Sequence, residues 1–248
     1  MNTAELIPYD AVAPILIFDK NQEILFYSGT GFFVKFLPYS NIFFVTAKHC
    51  IKSDDNIDYG KIYVHAMPKS LCTDFVLFSK YIIGGKSKSY FDDVAILEVD
   101  KKDNNYENIK KRSIRLIHQN DVLYILDDAV SNNRHKLRTV GFPSVDTKYI
   151  DYEKNIAVFQ PRGFYGDSIR YEHDMYSMKN LNWGDNEGNL NGFSGAPVIE
   201  FIPSKGGGWE PIPVGIITNG GNGVAWFISI NIVTDLIAHY LLGAYSNS

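Results

Sequence analysis

The sequence predicts an all-β protein of the sandwich or barrel type with one helix near its C-terminal end. Short stretches rich in Val, Ile, Phe and Tyr alternate with Gly, Asn, Asp and Pro, whereas apolar residues at helical spacing are scarce. The clear helical pattern covers residues 232–242. About a dozen strands are predicted, at residues 13–18, 23–27, 31–36, 42–46, 61–66, 93–99, 122–126, 136–141, 156–160, 196–201, 213–218 and 224–228.

The chain of 248 residues is long enough for one compact unit or for two small lobes. A polar stretch at residues 127–137 separates apolar runs, and we expect the lobe boundary there. The predicted lobes are residues 1–130 and residues 131–248. Residues 162–192 are polar and rich in Gly and Asn, which predicts a long loop of the kind that often carries function.

Charge and cysteine content exclude several classes of protein. The net charge is −4 and no long basic run occurs, which argues against nucleic acid as a partner. No apolar run is long enough to span a membrane, and the N-terminal residues lack a secretory pattern. The two cysteines, Cys50 and Cys72, are read as reduced thiols, with a disulfide between them as the less favoured alternative. We therefore expect a cytoplasmic protein.

Three segments carry residues suited to nucleophilic catalysis. His49 follows the run Phe-Phe-Val-Thr-Ala-Lys, where a predicted strand passes into a loop. Asp92 and Asp93 precede Val-Ala-Ile-Leu, and alternation of side chains along a strand favours Asp93 over Asp92, which is read as a solvated turn residue. Ser194 lies in Asn-Gly-Phe-Ser-Gly-Ala-Pro, a tight turn. A histidine, an aspartate and a serine are the base, orienting carboxylate and nucleophile of one known catalytic arrangement, although each segment alone has a plain structural explanation.

Together these segments resemble the chymotrypsin-like serine peptidases, in the style of their bacterial HtrA-like branch. Thr-Ala-x-His-Cys, Asp before Val-Ala-Ile-Leu, and Gly-x-Ser-Gly-x-Pro match in order, over about residues 10–243. The resemblance implies two antiparallel six-stranded β-barrels and a C-terminal helix. It also implies a serine endopeptidase with the triad His49, Asp93 and Ser194, and an oxyanion hole formed by the N–H groups of Gly192 and Ser194. No cofactor and no metal are implied.

The same resemblance implies a substrate groove. Val-Gly-Ile-Ile-Thr-Asn-Gly matches the strand that pairs with an extended peptide, so Thr218, Asn219 and Gly220 would line the groove. Counting back from the nucleophile, Gly188 would form the base of the primary pocket, where an uncharged residue argues against a preference for Lys or Arg. The glycines that begin at Gly220 fit a plain hairpin turn equally well.

One departure from the family affects regulation. Phe193 occupies the position at which some branches have an aspartate that binds a newly cut N-terminus, so activation by cleavage is not expected. The oxyanion loop is then either preformed or ordered by a separate activating protein, and the sequence leaves both open. The expected partner is a protein or peptide substrate, specifically one intracellular protein. The alternative function is a protease-fold module that binds a peptide or protein with weak or no catalysis.

Overall fold

The structure is a computed structural model. It describes the chain in the ranges 9–19, 24–51, 62–64, 75–83, 93–117, 119–132, 136–144, 150–151, 156–157, 159–172, 175–179, 181–182, 190–204 and 206–246. Within these ranges the chain is mainly β-strand, with three α-helices. The strands form an N-terminal sheet, a C-terminal barrel and one small separate hairpin.

The N-terminal sheet contains seven strands and is open. In spatial order β4-β1-β2-β3-β6-β5 the neighbours are antiparallel, and β7 pairs with β2 in parallel. The sheet curls, and the Val76 N–H donates to the Val64 carbonyl at 2.9 Å between its two edges. The first half is therefore a curled half-barrel, where the resemblance implied a closed barrel of six strands. The strands are β1 (Val12–Asp19), β2 (Ile24–Phe36), β3 (Ile42–Thr46), β4 (Ile62–Val64), β5 (Phe78–Ile83), β6 (Ala95–Val99) and β7 (Ile114–Leu116).

Both faces of this sheet are buried, which explains its uninterrupted apolar runs. Phe32 and Val34 on β2 face the core of the C-terminal barrel, while Phe33 between them faces a second core on the other side. Phe44 on β3 belongs to that second core, and its neighbour Phe43 belongs to the first. Successive residues of a strand point to opposite faces, so a strand covered on both sides must be apolar throughout.

The C-terminal barrel is closed and antiparallel. Its strands follow the order β11-β12-β15-β14-β13-β8, and β8 pairs with β11 to close the ring. This half confirms one antiparallel barrel of six strands. The barrel strands are β8 (Leu137–Gly141), β11 (Arg162–Glu172), β12 (Met175–Lys179), β13 (Pro197–Pro203), β14 (Trp209–Gly221) and β15 (Val224–Ser229), and the separate hairpin is β9 (Ile150–Asp151) with β10 (Ile156–Ala157).

The predicted long loop at residues 162–192 was wrong over much of its length, because it contains β11 and β12, two of the six barrel strands. The inward positions of β11 are Phe164, Gly166 and Ser168, all buried. Only one of these three side chains is large and apolar. The alternation that identifies a strand was therefore present in the burial pattern but weak in the sequence.

Three helices complete the fold: α1 (Tyr106–Arg112), α2 (Gln119–Asn132) and α3 (Asn231–Ser246). The predicted C-terminal helix is confirmed by α3. The predicted strand at residues 122–126 was wrong, because it lies inside α2. Val122, Leu126 and Ala129 are buried at spacings of four and three residues, which is the period of one helix face. Residue 130, where we predicted the lobe boundary, also lies in α2, which leads from the sheet to β8.

Helix α3 is attached to the N-terminal sheet through its residue Tyr240. The phenol donates to Glu98 Oε2 on β6 at 2.6 Å, and its ring meets that of Phe43 edge-on at 6.3 Å. The Lys80 ammonium group lies 5.2 Å from the centre of the same ring. The C-terminal element thus packs against both halves of the molecule. None of the helices in the described ranges combines the length and the apolar character needed to cross a membrane.

Candidate active site

The predicted catalytic residues lie where the N-terminal sheet meets the barrel. His49 lies just after β3, and Asp93 lies just before β6. These two strands pair antiparallel, with Thr46 opposite Ala95. The end of β3 and the start of β6 are therefore at the same edge of the sheet. Ser194 approaches this edge from the barrel, in the turn that precedes β13.

Asp93 holds the histidine by both its side chain and its backbone. Its Oδ2 lies 2.7 Å from His49 Nδ1, and its Oδ1 accepts the His49 backbone N–H at 3.0 Å. The Asp93 carbonyl accepts the Lys48 N–H at 3.2 Å, which fixes the 3-10 turn that carries the histidine. A carboxylate at Nδ1 favours the tautomer that leaves Nε2 available to accept a proton.

The charge state of His49 follows from these contacts. The hydrogen bond with Asp93 raises the pKa of His49 to about 10, the Cys50 thiol adds to the rise, and burial opposes it. Pairing with the carboxylate therefore favours the protonated form of the imidazole. The two side chains are 50% and 24% exposed, so water screens part of the attraction.

The turn that carries Ser194 is fixed by backbone hydrogen bonds to β14. The Gly195 N–H donates to the Ile217 carbonyl at 2.7 Å, and the Ile217 N–H donates to the Ala196 carbonyl at 2.9 Å. Gly195 has φ +84°, and a side chain there would overlap the Thr30 carbonyl and the Thr46 hydroxyl. Only glycine fits this position, which explains the Ser-Gly pair in the sequence.

Two contacts tie the serine turn to the N-terminal half, one to β2 and one to the residue after His49. The Ser194 carbonyl accepts the Thr30 N–H from β2 at 3.0 Å and lies 3.4 Å from Cys50 Sγ. Cys50 is a free, buried thiol and is adjacent to His49 in the chain. Through these contacts the fold brings Ser194 and His49 to one place from opposite halves. Between residues that the structure describes, the Ser194 hydroxyl forms no hydrogen bond with the His49 ring; such bonds often shorten only when substrate is bound.

The two predicted oxyanion donors are available. In the described part of the chain, neither the Gly192 N–H nor the Ser194 N–H donates a hydrogen bond. Gly192 has φ +96°, and a side chain there would overlap the Phe142 carbonyl. Backbone N–H groups without a partner at a turn can stabilise an oxyanion.

A hollow of about 290 Å³ adjoins this turn. Of the predicted substrate-binding residues, Asn219 and Gly220 line it, whereas Thr218 lies at a bulge of β14 and is absent from the lining. Gly188 lies outside the described residues, as do Asp92 and Cys72. The full lining is Tyr27, Ser28, Ser144, Leu190, Asn191, Gly192, Ser194, Asn219 and Gly220.

Apart from Asn191, which is part of the nucleophile motif, four lining residues were not predicted from the sequence: Tyr27, Ser28, Ser144 and Leu190. Leu190 is buried and packs against Gly220, whose missing side chain leaves room for it. Tyr27 is the last residue of a predicted strand, and nothing in its neighbourhood marks it as more than a strand aromatic. Of these four residues, only Leu190 lies next to the nucleophile motif, so only Leu190 could have been proposed from the sequence as part of the site.

No protein-family model matches the sequence, and no curated protein matches it significantly. The resemblance to chymotrypsin-like peptidases therefore depends on the motifs around His49, Asp93 and Ser194. Among the residues that can be described, no group of three His, Cys, Asp or Glu side chains is arranged to hold a metal ion.

Proposed function

We propose that this chain is a serine endopeptidase that cleaves peptide bonds through His49, Asp93 and Ser194. One observation carries the proposal. A serine beside two unused backbone N–H groups lines a hollow, and its carbonyl lies 3.4 Å from the thiol of Cys50, the residue after a histidine that a carboxylate holds at 2.7 Å. A structural role alone would require neither the unused donors nor the half-exposed ion pair.

Each group has a defined part in the reaction. The Ser194 oxygen attacks the peptide carbonyl carbon while its proton moves to His49 Nε2. The negative oxygen of the tetrahedral intermediate accepts hydrogen bonds from the Gly192 and Ser194 N–H groups. His49 then donates the proton to the leaving amine as the C–N bond breaks, and water releases the acyl group by the same steps. Asp93 keeps the imidazole ring oriented and stabilises its charged form.

A second candidate function is a peptide-binding module with weak or no catalysis. It is favoured by the raised pKa of His49, because a protonated imidazole cannot accept the serine proton at neutral pH. The absence of a bond between the Ser194 hydroxyl and the His49 ring, both in the described part of the chain, is compatible with it. The two functions differ in whether Ser194 becomes reactive when His49 is neutral.

Covalent labelling by a fluorophosphonate distinguishes them. We expect the wild type to be labelled, the labelling to be lost in Ser194→Ala, and an exposed-serine control, Ser79→Ala, to be labelled like the wild type. The reaction should be run at neutral pH and near pH 10, with Ser194→Ala subtracted as a blank. Absence of Ser194-dependent labelling at both pH values would contradict the endopeptidase and favour the binding module.

A further inference from the structure

The carbonyl group of Gly192 is held by two hydroxyl groups from β2. Tyr27 Oη donates to it at 2.7 Å, and Thr30 Oγ1 donates to it at 2.6 Å. Both donors come from the N-terminal sheet, and the acceptor is in the turn that precedes the barrel strand β13. With a hydroxyl group against each of its lone pairs, the carbonyl is held in place, so this end of the turn has little freedom to rotate.

The same two side chains also hold the neighbouring barrel segment. Thr30 Oγ1 accepts the Phe142 N–H at 3.0 Å, and the Phe142 carbonyl shares the single phenol proton of Tyr27 with the Gly192 carbonyl. Phe142 follows β8 directly in the chain. We call Tyr27, Thr30 and Phe142 the clamp, because together they fix the turn and the barrel segment to β2.

A third contact fixes the peptide on the other side of Gly192. The Ser144 N–H donates to the Asn191 carbonyl at 2.9 Å. In a trans peptide the carbonyl and the following N–H point in opposite directions. The Gly192 N–H is therefore turned away from the Ser144 segment. A rotation of the Asn191–Gly192 peptide that exchanged its carbonyl and its N–H would break the hydrogen bond from Ser144.

The side chain of the turn is anchored as well. Phe193 is fully buried and meets the ring of Phe164 at 4.9 Å in an edge-on arrangement. Its N–H donates to the Leu190 carbonyl at 3.1 Å. An apolar anchor of this kind needs no charged group to hold it, so the turn has its conformation without a salt bridge at this position.

We propose that Tyr27 and Thr30 are positioning residues that keep the oxyanion turn preformed, so that the site reacts without N-terminal cleavage or an activating protein. This inference rests on the proposed function, and it decides between the two forms of regulation that the sequence left open. The hydroxyl groups act through the Gly192 carbonyl: they fix the plane of the Gly192–Phe193 peptide, which leads to the Ser194 N–H, and do not touch the reacting atoms. Burial raises the pKa of Tyr27, so the phenol stays a donor at the alkaline pH at which His49 becomes neutral.

The experiment measures fluorophosphonate labelling of Ser194 as two constants, the rate at saturation (kinact) and the half-saturating concentration (KI). The variants Tyr27→Phe and Thr30→Val each remove one hydroxyl group with little change of shape. We expect kinact to fall by about tenfold or more in each, and KI to change by less than about twofold, because the oxyanion donors act mainly in the transition state. A purely structural role would lower the amount of folded protein without this split.

Two matched variants serve as controls. Tyr106→Phe loses a phenol hydrogen bond of 2.7 Å to the Ser40 carbonyl, remote from the site, and Thr30→Ser retains the hydroxyl. Both should keep kinact within about twofold of the wild type. Thermal unfolding of every variant shows whether it is folded at the assay temperature. If Tyr27→Phe does not fold, the kinact of Thr30→Ser compared with that of Thr30→Val still tests the role of the hydroxyl group.

Failure of this inference and failure of the proposed function give different results. If the wild type is labelled at Ser194 but Tyr27→Phe and Thr30→Val retain its kinact, the clamp has no positioning role and the endopeptidase stands. A wild type that is labelled only after another protein is added also overturns the inference. If no condition gives Ser194-dependent labelling, the endopeptidase itself is contradicted.

Discussion

The two halves of the molecule hold the predicted catalytic residues in different ways. The N-terminal sheet presents His49 and Asp93 at the ends of two interior strands, with the histidine side chain half-exposed, and positions them by side-chain hydrogen bonds. The C-terminal barrel presents Ser194 on a tight turn of backbone hydrogen bonds between buried residues. The state of His49 and Asp93 therefore depends on solvent and charge, whereas the position of Ser194 depends on the backbone conformation of its turn. A substitution beside the histidine should change how the site responds to pH, whereas one in the turn should change whether the site exists.

Gly195→Ala should have the largest effect, because it disturbs the backbone conformation of the turn that positions Ser194. The new side chain would overlap the Thr30 carbonyl and the Thr46 hydroxyl at a residue with φ +84°. We expect a loss of more than about 3 kcal/mol in the free energy of unfolding, and no labelling of Ser194. Denaturant unfolding measures the first quantity. Gly206→Ala is the control variant, because open space surrounds that position, and it should unfold like the wild type. If Gly195→Ala were as stable as the wild type, the turn would not depend on a glycine at this position.

The pH dependence of labelling tests how the state of His49 depends on charge. Because contact with Asp93 raises the pKa of His49 to about 10, the neutral base becomes about tenfold more abundant per pH unit below that value. The labelling rate should rise in proportion and level off above it. In Asp93→Asn the pKa of His49 should fall, and NMR titration of the imidazole protons measures this directly. Asp121→Asn, on α2, is the control; an unchanged His49 titration in Asp93→Asn would contradict the assignment.

Tyr240→Phe should have the smallest effect, since it tests only the link between the halves. The substitution removes the hydrogen bond to Glu98 Oε2 and leaves that buried oxygen without its phenol donor. We expect a loss of about 1–3 kcal/mol in the free energy of unfolding, with little change in the labelling rate. Tyr124→Phe, at an exposed position on α2, should unfold like the wild type. A large loss of labelling in Tyr240→Phe would mean that α3 acts on the site itself.

The sequence was most informative where local patterns were strong. The strands β2, β3 and β6 are apolar on both faces, so their runs were conspicuous, and the reactive residues lie directly beside such runs. The barrel strand β11 carries Gly166 and Ser168 at two of its inward positions, and the sequence therefore predicted a loop in place of β11 and β12. Val122 and Leu126 on α2 fit a short strand as well as one face of a helix. Tertiary packing decided both cases.

The clamp could not be found from the sequence for a different reason. Tyr27 and Gly192 are 165 positions apart, and a hydroxyl that meets a backbone carbonyl at that separation leaves no local pattern. Thr30 lies in the sequence Gly-Thr-Gly-Phe-Phe-Val at residues 29–34, which does not reveal which face of the strand its hydroxyl occupies. Only the assembled fold shows that one strand of the N-terminal sheet holds the turn of the opposite half.

The core shared by the two halves limits how the hollow can change. Phe32 on β2 and Phe227 on β15 belong to one continuous apolar cluster, which passes from the face of the sheet into the barrel. Opening a hinge between the halves would expose this cluster to water, at a cost that grows with every ångström of separation. The hollow is therefore expected to keep its shape. If the proposed function holds, a peptide substrate has to adapt its shape to the hollow, so its flexibility should matter as much as its side chains.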